Sequence, residues 1–194
     1  MVLRVLDWEL AAERTSVYER SEELVMNHRT LKSLAASTLL AGMIAIASPA
    51  TATTVGSDQG CTPGYWKNHT SSWEEYTTST KLSSLFTIPA NLSSFGSKTM
   101  LEALDGGGGP GLNGAATILF RAASASYLNA ANDSVGFPLR RSLPSPFEPW
   151  ASDARFANGI RGAVTAALAT GDRDTILALA TTLDNANNLG CPLN

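Results

Sequence analysis

The two cysteines constrain this chain more than any other feature of its sequence. They stand at positions 61 and 191, and Cys191 is three residues from the end. A bond between them would enclose a loop of 130 residues (191 − 61), so both ends of that loop would lie side by side in any fold. In the chain-entropy description, closing so long a loop stabilises the folded state by about 4–5 kcal/mol. The cellular compartment decides whether such a bond forms.

The segment before the first cysteine has the features of a secretory signal. A short positive region over residues 26–32 is followed by an apolar run over residues 33–47, and Ala50 and Ala52 then have the small-x-small spacing that signal peptidases recognise. The apolar run has 15 residues, whereas a membrane-spanning helix needs about 20. We therefore predict a cleaved signal peptide over residues 26–52 in preference to an uncleaved membrane anchor.

The predicted cleavage divides the chain into three parts. Residues 1–25 carry charges of both signs in front of an otherwise complete signal. We interpret them as a mis-assigned start, with Met26 as the true initiator, or as a disordered extension. Cleavage after Ala52 leaves residues 53–194 as a single secreted domain of 142 residues (194 − 52) with no membrane span. We expect an extracellular or periplasmic location, and the signal resembles bacterial ones.

Export favours a bond between the two thiols. A disulfide is the default state of a cysteine pair in an oxidising compartment, so we predict that Cys61 and Cys191 are bonded. Two free thiols are the alternative, although an exposed free thiol is unusual there. A metal site is not indicated, because His69 is the only histidine of the predicted mature chain. One histidine with two cysteines does not complete a four-ligand set.

Composition limits the possible partners. The net charge is −3, and no cluster of Lys and Arg exceeds the pair Arg140-Arg141, which argues against nucleic-acid binding. Hydrophobic residues make up 44% of the chain, as in a globular domain and unlike a disordered one. The glycine run over residues 105–111 has no Gly-Lys-Ser/Thr ending and follows no predicted strand. We interpret it as a flexible connection and predict no cofactor.

The hydrophobic pattern predicts helices and no strands of useful length. Apolar residues recur at helical spacing in five segments: residues 70–76, 97–104, 113–132, 152–170 and a helix that begins at Asp172. Four prolines between residues 136 and 149 prevent a long element there. We predict an all-α fold, a small irregular helical bundle with long loops that contain proline and glycine, closed by one disulfide.

The candidate binding residues follow the first cysteine. Aromatic rings stand there beside a cation, an amide and an imidazole, a combination that can stack a sugar ring or anchor a protein partner. For Trp66 and Trp73 we favour the alternative that they fill the core around the disulfide. The candidate binding surface consists of Tyr65, Trp66, Lys67, Asn68, His69, Trp73 and Tyr76.

No set of catalytic residues is indicated. His69 is the only candidate general base of the predicted mature chain, and no Gly-x-Ser-x-Gly motif accompanies it. Glu74 and Glu75 are adjacent, so on a helix they would diverge by about 100° and could not flank one glycosidic bond. A hydrolase would need His69 together with a distant carboxylate such as Asp105 or Asp133.

Both ends of the predicted domain show a resemblance. The segment Cys61-Thr62-Pro63-Gly64-Tyr65-Trp66-Lys67-Asn68-His69, with Trp73 after it and Gly190-Cys191-Pro192 at the end, resembles a group of secreted bacterial proteins. Those proteins begin the mature domain with Cys-Thr-Pro-Gly-aromatic-Trp-Lys and end it with Cys-Pro. No activity is established for that group. The resemblance therefore implies export and paired ends, and it supplies no catalytic residues.

The sequence supports two hypotheses of function. The leading hypothesis is a secreted, disulfide-closed helical domain that acts as a binding or structural module for an extracellular ligand or surface partner. The alternative is a secreted hydrolase that acts on cell-wall or glycan material.

Overall fold

The computed structural model describes residues 58–194. The predicted signal peptide over residues 26–52, and residues 1–25 before it, lie outside these residues. The helices are α1 (Pro63–Asn68), α2 (Leu82–Leu85), α3 (Met100–Leu104), α4 (Gly111–Asn129), α5 (Gly159–Thr170) and α6 (Arg173–Asn187). The all-α prediction is confirmed, since this part of the chain has isolated bridges but no strand. None of the helices described is long and apolar enough to cross a membrane.

Helix α4 is the centre of the fold. It contacts α1, α3, α5 and α6, and residues 122–129 are buried without interruption because partners pack on several of its sides. Alanine and serine dominate this stretch, and their small side chains let the neighbouring helices approach closely. The helix was expected to start at Asn113, but it starts at Gly111 after Pro110. Pro110 is the N-cap, its backbone is extended, and no side chain caps this helix start.

The glycine run before α4 is packed against the helix and is not a free connection. The carbonyl of Gly109 lies against the first turn, where a Cβ on Gly114 would stand 1.9 Å from that oxygen. No residue with a side chain fits at position 114 without moving the backbone of the run. The expected flexible connection is therefore a tight turn that fixes the start of α4.

The segment expected to form one helix over residues 152–170 is broken into two pieces. A 3₁₀ turn, Ala154–Phe156, is capped by Asp153, and α5 starts only at Gly159. Gly159 has a φ of 63°, which is left-handed and ends any helix that reaches it. Phe156 before the break and Ile160 after it are both buried, so the apolar pattern continues although the backbone does not.

The joint between α5 and α6 has the expected form. Gly171 ends α5 in the left-handed conformation, with a φ of 64°. Asp172 begins α6, and its carboxylate accepts a hydrogen bond of 2.8 Å from the backbone N–H of Thr175. The hydrogen bonds from Thr175 hold the pKa of Asp172 below its ordinary value. So short a joint makes α5 and α6 neighbours, and the apolar face of α6 is buried as expected: Ile176, Leu179, Ala180 and Leu183.

Two expected helices near the start of the domain differ from the structure. Residues 70–76 hold only a 3₁₀ turn, Thr70–Ser72, after which Trp73 is extended. Glu75 has a φ of 61°, which is incompatible with a helix. The helix expected over residues 97–104 is shorter and begins after Thr99, whose side chain forms a capping box with Glu102.

The disulfide between Cys61 and Cys191 is present, as predicted. The two Cα atoms are 4.4 Å apart, and the backbone N–H of Gly60 donates to the carbonyl of Gly190 at 3.0 Å. Both sulfurs are in the bond, and the described residues contain no free cysteine. The first and last segments of the domain are thus joined by sulfur and by a short antiparallel bridge.

A buried amide fastens the first cysteine to the end of α4. The Asn129 carbonyl oxygen accepts hydrogen bonds from the Cys61 N–H at 2.7 Å and the Trp66 indole N–H at 3.0 Å. The Asn129 amide nitrogen donates to the Cys61 carbonyl and to the Asn187 side-chain oxygen, both at 2.9 Å. Asn187 also accepts from Ser126 at 2.9 Å, so α1, α4 and α6 meet in one fully buried network.

We predict that reduction of the disulfide lowers the free energy of unfolding by about 4–5 kcal/mol, because the unfolded chain regains the entropy of an open loop. Urea unfolding with and without a thiol reductant measures the difference. In the double variant Cys61→Ala/Cys191→Ala, the reductant should have no further effect. Equal unfolding midpoints for the oxidised and reduced protein would contradict this prediction.

We predict that Asn129→Ala lowers the free energy of unfolding by at least about 3 kcal/mol, since it leaves several buried donors and acceptors without partners. The matched control is Asn113→Ala, at an exposed position in the first turn of the same helix, which should change stability by less than about 0.5 kcal/mol. Chemical denaturation of both variants with the disulfide intact provides the test. Similar losses of unfolding free energy in the two variants would show that the network stabilises the domain no more than an exposed side chain does.

Candidate functional site

One of the two indole rings of the candidate binding surface, that of Trp66, belongs to the core. Trp66 has no exposed surface, and its indole N–H is hydrogen-bonded to Asn129. Trp73 is half-buried against the core, and its indole N–H donates to the Trp66 carbonyl at 2.9 Å. The favoured interpretation of these two rings as core around the disulfide agrees with this placement. Trp66 cannot touch a ligand unless the domain opens.

Two polar residues of the same segment, Asn68 and His69, are exposed, and their side chains contact backbone carbonyls of α1. The His69 ring stacks on Tyr65 with the ring centroids 4.2 Å apart, and its Nδ1 lies 2.9 Å from the Tyr65 carbonyl oxygen. The Asn68 amide donates to the Gly64 carbonyl at 2.9 Å. The Tyr65 hydroxyl in turn donates to the Leu193 carbonyl at 3.3 Å. The Asn68 and His69 side chains thus contact carbonyl groups of α1, and the Tyr65 hydroxyl binds the chain near its last residue.

The two carboxylates considered for a hydrolase do not form a pair with His69. Asp105 forms an exposed ion pair with Lys67, and this hydrogen bond holds the pKa of Asp105 below its ordinary value. An ionised carboxylate has no proton to donate as a general acid. The backbone N–H of Asp133 donates to Glu74 at 3.2 Å. Among the described residues, neither the ion pairs nor the hydrogen bonds of His69 include a carboxylate.

The structure shows a cleft that the sequence did not predict. It has a volume of about 570 Å³ and lies between the aromatic segment, the end of α4 with the loop that follows it, and the start of α5. Its lining includes two tyrosines, an amide and three arginines: Tyr76, Tyr127, Asn132, Arg140, Arg141 and Arg161. Of the candidate surface residues, only Tyr76 lines this cleft. The pair Arg140-Arg141 was the one available signal, and it was too short to indicate a site.

Backbone contacts bring the three arginines together. The N–H of Ile160 donates to the carbonyl of Arg140, and the N–H of Arg161 donates to the carbonyl of Arg141, both at 2.9 Å. These are the first amide groups of α5, which have no partner within the helix. A Cβ at Gly159 would stand 2.5 Å from the Arg140 carbonyl oxygen, so the loop can approach only because this residue is glycine.

The arginines differ in how far their charge is neutralised. Arg141 binds the Glu75 carboxylate with both terminal nitrogens, at 2.5 and 3.0 Å, and donates to the Tyr76 hydroxyl at 2.9 Å. The hydrogen bonds to Glu75 raise the pKa of Arg141 above its ordinary value. Arg140 and Arg161 take part in no ion pair within the described residues. The cleft therefore presents two guanidinium groups whose charge is not compensated by a bound carboxylate.

One of these groups is oriented by a buried tyrosine. The Nε of Arg161 donates to the Tyr127 hydroxyl at 3.4 Å, and the Tyr127 ring is 1% exposed. Burial raises the pKa of Tyr127 above its ordinary value, so the hydroxyl stays neutral and accepts this bond. The remaining N–H groups of Arg161 have no protein partner among the described hydrogen bonds and are available to a ligand.

A smaller groove lies between α5 and α6. It has a volume of about 310 Å³, and its lining consists of four alanines, two threonines, Leu179 and Arg155. Arg155 is engaged with Asp153 at 2.7 Å. Such a surface has few polar groups to orient a ligand, and it is a weaker candidate than the cleft.

Comparisons with known proteins assign no family to this chain. No family model, curated protein or solved structure matches it. Within residues 58–194, no three His, Cys, Asp or Glu side chains lie close enough together to hold a metal ion. The features that bear on function are therefore the cleft and the segments around it.

We predict that Gly159→Ala lowers the free energy of unfolding by about 1–3 kcal/mol, because the residue is left-handed and its Cβ would meet the loop backbone. The matched control is Gly107→Ala, where a Cβ meets nothing within 4 Å and φ is not positive. Thermal and urea unfolding of the two variants provides the comparison. If Gly159→Ala is as stable as Gly107→Ala, the loop does not depend on this close approach.

Proposed function

We propose that this chain is a secreted, disulfide-closed helical domain that binds a ligand outside the cell, and that the cleft is its binding site. Secretion is supported by the signal-like segment over residues 26–52 and agrees with the bond between Cys61 and Cys191. The resemblance of both chain ends to secreted bacterial proteins supports the same compartment. Of the two roles expected from the sequence, binding or structural, the cleft favours binding.

The observation that carries this proposal is the chemical character of the cleft. Ligand sites in proteins are concave, typically about 300–1,000 Å³, and combine aromatic or apolar walls with a few polar groups that converge. The cleft has a volume of about 570 Å³, with tyrosine rings beside guanidinium and amide groups. A merely structural module has no need of a concavity in which charged groups converge.

The walls of the cleft are held in place before a ligand arrives. The loop at Arg140 and Arg141 is hydrogen-bonded to the start of α5, and α4 is fastened to α1 and α6 by the buried amides. A preformed site binds more tightly than a mobile one, since less conformational entropy is lost on binding. The fold thus supports a binding function better than the hydrolase alternative, for which no acid–base pair at His69 is assembled in the described residues.

The exported protein is the material on which the proposal is tested. Mass spectrometry with and without reductant identifies its first residue, for which we expect Thr53, and shows whether the thiols are bonded. The same protein is then tested for binding to a panel of polysaccharides and isolated cell-surface fractions. Retention of the chain in the cytosol with free thiols would contradict the secreted part of the proposal.

A bulky substitution tests the cleft without changing its charge. Ser142 is exposed and lines the cleft, so Ser142→Trp should fill part of it and weaken binding to the best member of the panel by about tenfold or more. Ser97→Trp is the control, because Ser97 is exposed and does not line the cleft. Equal binding by Ser142→Trp and the wild type, or no binding to any panel member, would contradict the proposal.

A further inference from the structure

An asparagine that precedes a glycine can lose its side-chain amide without an enzyme. The backbone nitrogen of the glycine attacks the asparagine Cγ, and a glycine allows this because it has no Cβ to obstruct the approach. The chain contains two such pairs, Asn113-Gly114 and Asn158-Gly159, and one related pair, Asp105-Gly106. All three lie within residues 58–194, so the structure shows how freely each of them can react.

Two of these pairs are held in place by their surroundings. Asn113 lies inside α4, where the hydrogen-bonded backbone resists the rotation that brings Cγ to the next nitrogen. The glycine that follows it is packed so closely that a Cβ on Gly114 would stand 1.9 Å from the Gly109 carbonyl oxygen. In the aspartate pair, the N–H of Gly106 already donates to the Ala103 carbonyl at 3.0 Å. We expect neither pair to react while the domain is folded.

The pair Asn158-Gly159 lacks these restraints. Asn158 is exposed and precedes α5, with a φ of −115° and a ψ of 30°, which are not helical values. Among the described residues, neither its side-chain amide nor the backbone N–H of Gly159 forms a hydrogen bond. The Asn158 carbonyl accepts one backbone bond, from the N–H of Gly162 at 3.2 Å. Little of the structure must therefore open before the attack can occur.

We propose that Asn158 is a site of spontaneous deamidation in the folded domain, and that the reaction alters the wall of the cleft. The Gly159 nitrogen loses its proton to hydroxide and bonds to the Asn158 Cγ, while the Cγ–Nδ2 bond breaks and ammonia leaves. Water then opens the resulting succinimide ring at either of its carbonyl carbons. One opening gives aspartate, and the other gives isoaspartate, in which the main chain runs through Cγ. The reaction does not depend on what the cleft binds.

The isoaspartate product acts on the contact that forms the cleft. It lengthens the main chain by one atom directly before Gly159, where a Cβ would stand 2.5 Å from the Arg140 carbonyl oxygen. The next two N–H groups, those of Ile160 and Arg161, donate to the same loop. A displaced Gly159 weakens both bonds and separates arginines that line the cleft. The aspartate product leaves the main chain unchanged, and a carboxylate is favourable directly before a helix.

Peptide mapping by mass spectrometry of the folded exported domain tests the site. Incubation in water enriched in heavy oxygen labels each new carboxyl group. We expect Asn158 to convert at least about tenfold faster than Asn113, a ratio that corresponds to about 1.4 kcal/mol in barrier height. The rate should rise with pH, because hydroxide removes the proton from the attacking nitrogen. Asn158→Ser should abolish the label at this position and still provide an N-cap side chain.

The unfolded chain is the control for the effect of the fold. In concentrated urea the two asparagines should convert at similar rates, since both then precede an unrestrained glycine. Equal rates at Asn113 and Asn158 in the folded domain would overturn the inference, because the fold would not select the site. An unconverted Asn158 in the folded domain, under conditions in which the unfolded chain reacts, would also overturn it. Both outcomes leave the proposed function standing, because binding is measured on unmodified protein.

Amide hydrogen exchange tests the effect on the cleft wall. The isoaspartyl form is separated by chromatography from the unmodified and aspartyl forms. We expect the amides of Ile160 and Arg161 to exchange at least about tenfold faster in the isoaspartyl form, because the bonds to the loop open more often. Asn158→Asp is the matched control, since it adds the same charge without lengthening the main chain, and it should keep both amides protected. Equal protection in the isoaspartyl form and in Asn158→Asp would overturn the proposed effect on the cleft.

Discussion

The side-chain amide of Asn129 is the point at which the domain is held together. It lies at the end of α4, has no exposed surface and bonds to both backbone groups of Cys61. It also reaches the indole of Trp66 and the amide of Asn187, so the segment at Cys61 and the end of α6 meet on one residue. In a low-dielectric interior such a network is strong only if every member has a partner, and any missing member leaves the others unsatisfied.

This network determines what the aromatic segment after Cys61 can do. Since the Trp66 ring is held inside by Asn129, the residues beside it face outwards at the rim of the bundle. Lys67, for example, is exposed and pairs with Asp105. Exposed pairs of this kind contribute little to stability. The segment therefore supplies the core with one ring and the cleft with Tyr76, while Lys67, Asn68 and His69 remain exposed.

Those parts of the fold that depend on local chemistry could be predicted from the sequence. The disulfide was predicted from two cysteines and a signal-like segment, and the joint at Gly171 and Asp172 from two capping preferences. The break at Gly159 could not be predicted, because buried apolar residues on both sides of it continue the helical period. The irregular backbone of the segment that ends at Glu75 was not predicted either. Tertiary contacts determine this backbone, and the spacing of the aromatic residues does not reveal those contacts.

The cleft was not predictable, because no sequence pattern records the bonds that form it. Arg140 and Arg161 are twenty-one residues apart (161 − 140), and backbone bonds between residues 140–141 and residues 160–161 bring them to one site. Every residue has a backbone acceptor and every residue except proline has a backbone donor, so these bonds leave no side-chain signature. Besides the pair Arg140-Arg141, the sequence contains one further trace, Gly159, whose missing Cβ admits the loop. Because the same contact satisfies the free amides of α5 and gathers the charges, the stability of this corner and the basic character of the cleft have a common origin.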